Sequence, residues 1–163
     1  MIEVIDVSKK FGEFKALDRV NININKGLIH GVIGENGAGK TTLLQMIAGV
    51  YDVEEGQILI KGQRVYDNNE IKKKIGYVAD RNQYFKDYKI NEMIDFFSGI
   101  YDSFSKDDFI GYNKIFDLNP DNRIKQLSKG MQMRLALMLN LSIRPEILIL
   151  DEPTSGLDAI IKK

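Results

Sequence analysis

Gly34-Glu35-Asn36-Gly37-Ala38-Gly39-Lys40-Thr41 matches the G-x-x-x-x-G-K-[ST] pattern of a phosphate-binding loop, the Walker A motif, at every fixed position. An apolar run over residues 28–33 predicts a buried strand entering the loop, and residues 42–48 predict a helix leaving it. That strand–loop–helix context is what the motif requires. Glycines let successive N–H groups converge on a phosphate at the positive end of the helix. Lys40 is then expected to reach the β and γ oxygens and Thr41 to place its hydroxyl on Mg²⁺. Thr42 either bonds a phosphate oxygen or caps the first turn. The pattern predicts binding of a nucleoside triphosphate through Gly34, Asn36, Gly37, Ala38, Gly39, Lys40, Thr41 and Thr42.

The 163 residues suffice for one domain of ordinary size with its own core. Lys+Arg and Asp+Glu both total 23, so there is no broad basic field and nucleic acid is not an expected partner. Cysteine is absent, which fits a reducing compartment and excludes a disulfide scaffold or a cysteine-bound zinc. The N-terminus carries no basic-then-apolar leader, and no apolar run approaches the roughly 18 residues of a membrane span. A soluble chain inside the cell is expected, with any membrane role supplied by a partner.

Along the chain, residues 2–7 and 20–24 alternate apolar with polar and predict half-buried antiparallel strands around a turn at Phe11-Gly12-Glu13-Phe14. Residues 57–60 and 64–66 predict a hairpin about Lys61-Gly62-Gln63. Residues 75–79 read as a buried strand of the central sheet, ended by Asp80. Met93, Ile94, Phe97, Ile100 and Tyr101 have helical spacing, and Ser105 with Asp108 resembles a capping box opening a second helix. Ser128 caps a third helix through Leu141, stopped before Pro145, and residues 147–150 predict a fully buried parallel strand.

Asp151, at the end of that strand, is placed to hold Mg²⁺ through its water shell or else to cap a helix, since open α/β sheets bind ligands at the carboxyl ends of their strands. Glu152 points the other way. It could orient, or take a proton from, a water attacking the γ-phosphate; the alternative is a solvated edge carboxylate. As an N-cap, Ser128 leaves the amides of the next turn with partial positive charge, a γ-phosphate site or a simple cap.

Leu127-Ser128-Lys129-Gly130-Met131-Gln132 resembles the L-S-G-G-Q signature of ATP-binding cassette (ABC) proteins, with Lys129 at the first glycine. Residues 147–152 resemble that family's Walker B strand with its catalytic carboxylate, and Ser155-Gly156-Leu157-Asp158 resembles its D-loop. The resemblance implies a RecA-like α/β P-loop core with an antiparallel β layer and a helical signature subdomain, about residues 85–141. It implies ATP and Mg²⁺ as cofactors, Glu152 as the catalytic residue, and Thr41, Asp80 and Asp151 near the metal. Phe11 matches the aromatic that stacks on adenine, though a Phe in a turn also serves as a core plug. Ser128 and Gly130 would contact ATP bound by a second nucleotide-binding domain, identical or not, in a head-to-tail dimer. His30 lies away from the family's switch histidine and is read as structural.

Two features depart from the family pattern. Asp80 stands where a metal-contacting glutamine is usual, while Gln83 follows three residues later; either could fill the role. The chain also ends at Lys163, soon after the D-loop, so a cassette truncated at that point is expected to bind nucleotide but turn it over poorly. With the Glu35-Asn36-Gly37-Ala38 loop and the Lys129 signature, the resemblance is nearest to export-type systems. It implies an ATPase subunit peripheral on the inner face of the cell membrane, coupled to a transmembrane permease subunit. A soluble non-transport cassette protein is the alternative.

Overall fold

In the computed structural model, residues 1–80 and 84–153 are described. Gln83 and the D-loop residues lie outside them. The chain divides into two compact units, Met1–Lys72 and Lys73–Lys163.

The first unit is built on the alternating segments. β1 (Ile2–Phe11) and β2 (Phe14–Ile24) form an antiparallel hairpin paired, with irregularities between Val4 and Lys10, from Ile2↔Ile24 to Phe11↔Phe14. Gly12, at φ +59°, makes the tight turn. The register shifts after Val4, where Asp6 has φ 47°. There the Asn21 carboxamide replaces the lost ladder bonds: its Oδ1 accepts from Asp6 N at 3.0 Å and its Nδ2 donates to Asp6 Oδ1 at 2.7 Å. α1 (Lys40–Ile47) follows the phosphate loop and buries Leu43, Met46 and Ile47. β3 (Glu55–Ile60) pairs antiparallel with β1 and turns through Lys61 and Gly62 into β4 (Gln63–Arg64). Both turn residues have positive φ, the conformation of a two-residue type I′ hairpin. The sheet order is β2-β1-β3-β4, and α2 (Asn69–Lys72) closes the unit. Val4, Val7, Leu17, Ile58 and Ile60 are buried within it.

In the second unit, β5 (Ile75–Val78) runs parallel to β6 (Ile147–Leu150), with Ile75 opposite Ile147 and Val78 opposite Leu150. The crossover between them contains α3 (Ile90–Ile100), α4 (Lys106–Phe116), a single 3-10 turn at Ile124–Gln126, and α5 (Lys129–Ser142). Ile90, Met93, Phe97, Phe109, Leu118, Leu135, Met138 and Leu139 share one core. Another face of α5 packs Met133 and Ala136 with Val78 of β5. α5 is therefore apolar nearly all round because it is covered on two sides.

Several expectations need correction. Residues 28–33 form no strand: Ile29 is 103% and Ile33 98% exposed, and among the described residues none pairs with them. Apolar composition alone does not make a strand; the backbone groups need a neighbour's ladder. His30 shares that exposed segment and is not a packed structural residue. β6 is parallel but not fully buried, since only Ile149 is inside while Leu148 and Leu150 are exposed. Ile100 also faces outward. At α4 the Ser105 Oγ accepts from Asp108 N at 3.1 Å, but the reciprocal half of the capping box is replaced: Asp108 takes Arg144 at 2.6 and 3.1 Å.

Candidate functional site

In the first unit the phosphate loop is set by backbone that only glycine adopts without strain. Gly37 and Gly39 have φ +85° and +82°. Gly39 also lies so close to β2 that a Cβ there would stand 2.3 Å from the Ala16 carbonyl oxygen and 2.9 Å from Leu17 Cδ2. The loop closes with Ala38 N donating to Glu35 O at 3.2 Å, and α1 then starts at Lys40 with no side-chain cap. An uncapped helix start behind a glycine loop suits an anion. The Lys40 ammonium donates to Gly34 O and Glu35 O, both at 2.7 Å, which stretches the side chain back along the loop. Asn36, Gly37, Ala38 and Thr41 are exposed, while Thr42 is half-buried.

Phe11 is 44% exposed, so it is not a core plug. Its ring meets Tyr51 edge-on at 5.6 Å between centroids, and Lys9 Nζ lies 5.7 Å over it. Phe14, opposite Phe11, is two residues from Ala16, on which Gly39 rests. At about 3.4 Å per residue, this aromatic tip lies roughly 7 Å along the strand from the end of the phosphate loop. Tyr51 has no motif to mark it; its only trace in sequence is an aromatic two residues after Gly49, past the end of α1.

In the second unit the acidic residues leave the ends of paired strands. Asp151 is 4% exposed, and its N–H donates to Val78 O at 2.9 Å, continuing the parallel ladder. The Tyr77 hydroxyl donates to Asp151 Oδ2 at 3.4 Å. Register explains the pair: Tyr77 faces Ile149, and side chains two apart share a face of the sheet. Glu152 is exposed and has φ +50° directly before Pro153. Such backbone costs about 1–3 kcal/mol and concentrates at functional positions.

Ser128 caps α5, its Oγ accepting from Met131 N at 3.2 Å, while Gln132 Nε2 donates to Leu127 O at 3.0 Å. Gly130 is half-buried in the first turn. Lys129 Nζ lies 3.4 Å from Asp80 Oδ1, a pairing that residues 49 apart do not announce. Behind the turn, Asn140 is buried inside α5. Its Oδ1 accepts from Tyr77 N at 3.0 Å and its Nδ2 donates to Ala136 O at 2.9 Å. Burial pushes the Tyr84 phenol well above its usual range, opposed by its hydrogen bond with Asn140. The neighbouring Tyr101 is likewise raised by burial.

The Thr41 hydroxyl in the first unit and the Asp151 carboxylate in the second are each an oxygen donor of the hard kind that Mg²⁺ takes. The described residues contain no cluster of three or more His, Cys, Asp or Glu groups.

A family model described as ABC transporter matches residues 17–155. The ABC transporter ATP-binding protein YtrB of Bacillus subtilis (strain 168) is 32% identical over 99% of this chain and 56% of its own length. A probable sulfate/thiosulfate import ATP-binding protein, CysA of Chlorella vulgaris, is 36% identical over 99% of this chain and 71% of its own. Among solved structures, the dimeric post-hydrolysis state of the ATP-binding cassette MJ0796 bound to ADP and Pi superposes with a TM-score of 0.85. It is 27% identical, over 98% of this chain and 77% of that one. The chain thus spans little more than half of YtrB.

Proposed function

The chain belongs to the ABC transporter family, and from that premise we propose that it binds and hydrolyses ATP to power transport through a transmembrane partner subunit. One observation carries the reading: a glycine loop whose backbone excludes side chains at Gly39, with Lys40 drawn along it, opening an uncapped helix. Phosphate oxygens would take the Lys40 ammonium and the first-turn amides, replacing the two loop carbonyls. Phe11 would stack on the base, supported by Tyr51 at its edge.

For Mg²⁺, whose charge would offset that of the phosphates when bound, the first unit would offer the Thr41 hydroxyl and the second unit the Asp151 carboxylate. Tyr77 keeps the Asp151 carboxylate oriented through its hydroxyl. Glu152 would hold the attacking water and take its proton from an exposed position on left-handed backbone. Ser128 and Gly130 would serve ATP held by a second nucleotide-binding domain, an arrangement supported by the likeness to a dimeric cassette. Relatives that include an import protein leave the transport reading without an assigned direction.

The test is Glu152→Gln. The amide cannot take the proton, so phosphate release should fall by about 10²–10⁴-fold, the usual share of a general base, while ATP affinity stays within twofold. Unchanged phosphate release would remove Glu152 from the chemistry.

A further inference from the structure

The two positions at which this chain departs from its family's motifs, Asp80 and Lys129, touch each other. Lys129 is the first residue of α5, and the first turn of that helix holds no acidic residue. A cation there faces the positive end of the helix dipole, which is unfavourable without a nearby anion. Ser128 cannot supply one, since its hydroxyl is neutral and accepts from Met131 N as the cap. The carboxylate comes from Asp80, two residues beyond the end of β5.

The same stretch is tied to α5 at a second point. Asn140, near the other end of the helix, accepts from Tyr77 N within β5. Residues 129 and 140 are about 16 Å apart along a helix axis at 1.5 Å per residue. Packing of Met133 and Ala136 on Val78 and the Asn140 bond hold the body of the helix, and the Asp80–Lys129 contact reaches its exposed first residue. The first turn carries Ser128 and Gly130, and the strand to which it is pinned pairs with the one leading to Asp151 and Glu152.

We propose that Asp80 and Lys129 form a positioning contact that aims the first turn of α5, so that Asp80 acts on the signature turn instead of ligating the metal. The effect on a second nucleotide-binding domain rests on the dimer reading above; the contact itself does not.

A double-mutant cycle tests it: Asp80→Asn made in the parent and in Lys129→Ala. Hydrogen exchange is followed at the Met131 and Gln132 amides without nucleotide, with amides near Asn140 as an internal reference. An exposed ion pair of ordinary strength predicts about two- to fivefold faster exchange at Met131 and Gln132 for Asp80→Asn when Lys129 is present. In the Lys129→Ala background the change should be under about 1.5-fold, and the reference amides should not move in either background. Asp80→Glu should restore parent exchange to within twofold. Equal acceleration in both backgrounds, or equal acceleration at both ends of α5, would overturn the contact as a positioning device. So would an equal loss of Mg·ATP affinity in both backgrounds, which would assign Asp80 to the metal. ATP-driven association is measured in parallel on Glu152→Gln with and without Asp80→Asn, and weakening of two- to fivefold is expected. If Glu152→Gln fails to associate with ATP while the exchange coupling is present, the contact stands and the dimer reading fails.

Discussion

Gly39→Ala isolates what the fold demands of the phosphate loop. At φ +82° any other residue takes on left-handed strain of about 1–2 kcal/mol. The new Cβ would also stand 2.3 Å from the Ala16 carbonyl oxygen, and Ala16 lies in a strand laddered to β1 through Leu17 and Lys15, so the obstacle is backbone that cannot rotate away. Overpacking of that kind adds about 1–3 kcal/mol, for a sum of about 2–5 kcal/mol. Gly37 has nearly the same φ, +85°, yet a Cβ there meets nothing within 4 Å, so Gly37→Ala carries the strain alone. Urea denaturation of both variants separates the terms: with m of about 1–3 kcal/mol per molar, Gly39→Ala should unfold at a midpoint about 0.3–3 M below Gly37→Ala. ATP titration should show the Gly39 variant weakened further, because relieving the clash moves the start of α1. Midpoints that agree within about 0.2 M would refute the reasoning, since the loop would then not be seated on β2.

Asn140→Leu removes the acceptor of the Tyr77 N–H in a part-buried site and should cost about 1–3 kcal/mol in the same denaturation experiment; a neutral result would mean that the hydrogen bond does not hold β5 to α5. The Arg144 guanidinium holds the Asp108 carboxyl below its usual value of about 3.9. A carboxyl depressed in the folded state contributes stability above that value and loses it as pH falls through the folded pKa. Arg144→Met should therefore melt below the parent at pH 7, and the gap should narrow between about pH 5 and pH 3. A gap unchanged over that range would show that the arginine acts through packing.

The motifs with fixed local spacing were legible because their geometry is local. The turn at Gly12, the hairpin at Lys61-Gly62 and the Ser128 cap each follow from neighbouring residues alone. The phosphate loop and the start of α1 were legible for the same reason. What sequence could not show depends on distant partners. Asp108 reads as a capping-box residue, but its carboxylate goes to Arg144, 36 positions away. Asn140 reads as a polar interruption in an apolar helix and is instead the bond between that helix and β5. Residues 28–33 have strand composition, yet strand formation depends on a ladder partner, which composition does not encode. Asp80 and Lys129 each read as a departure from a motif; only their contact at 3.4 Å makes them one feature.

The central claim is that residues 34–41 hold ATP through Lys40, and calorimetric titration of Mg·ATP into the parent chain and into Lys40→Ala tests it most directly. Charge-assisted hydrogen bonds of about 1.5–3 kcal/mol correspond to a loss of about 10- to 150-fold in affinity for the variant, with its unfolding midpoint little changed. Equal affinity for the two proteins would contradict the claim.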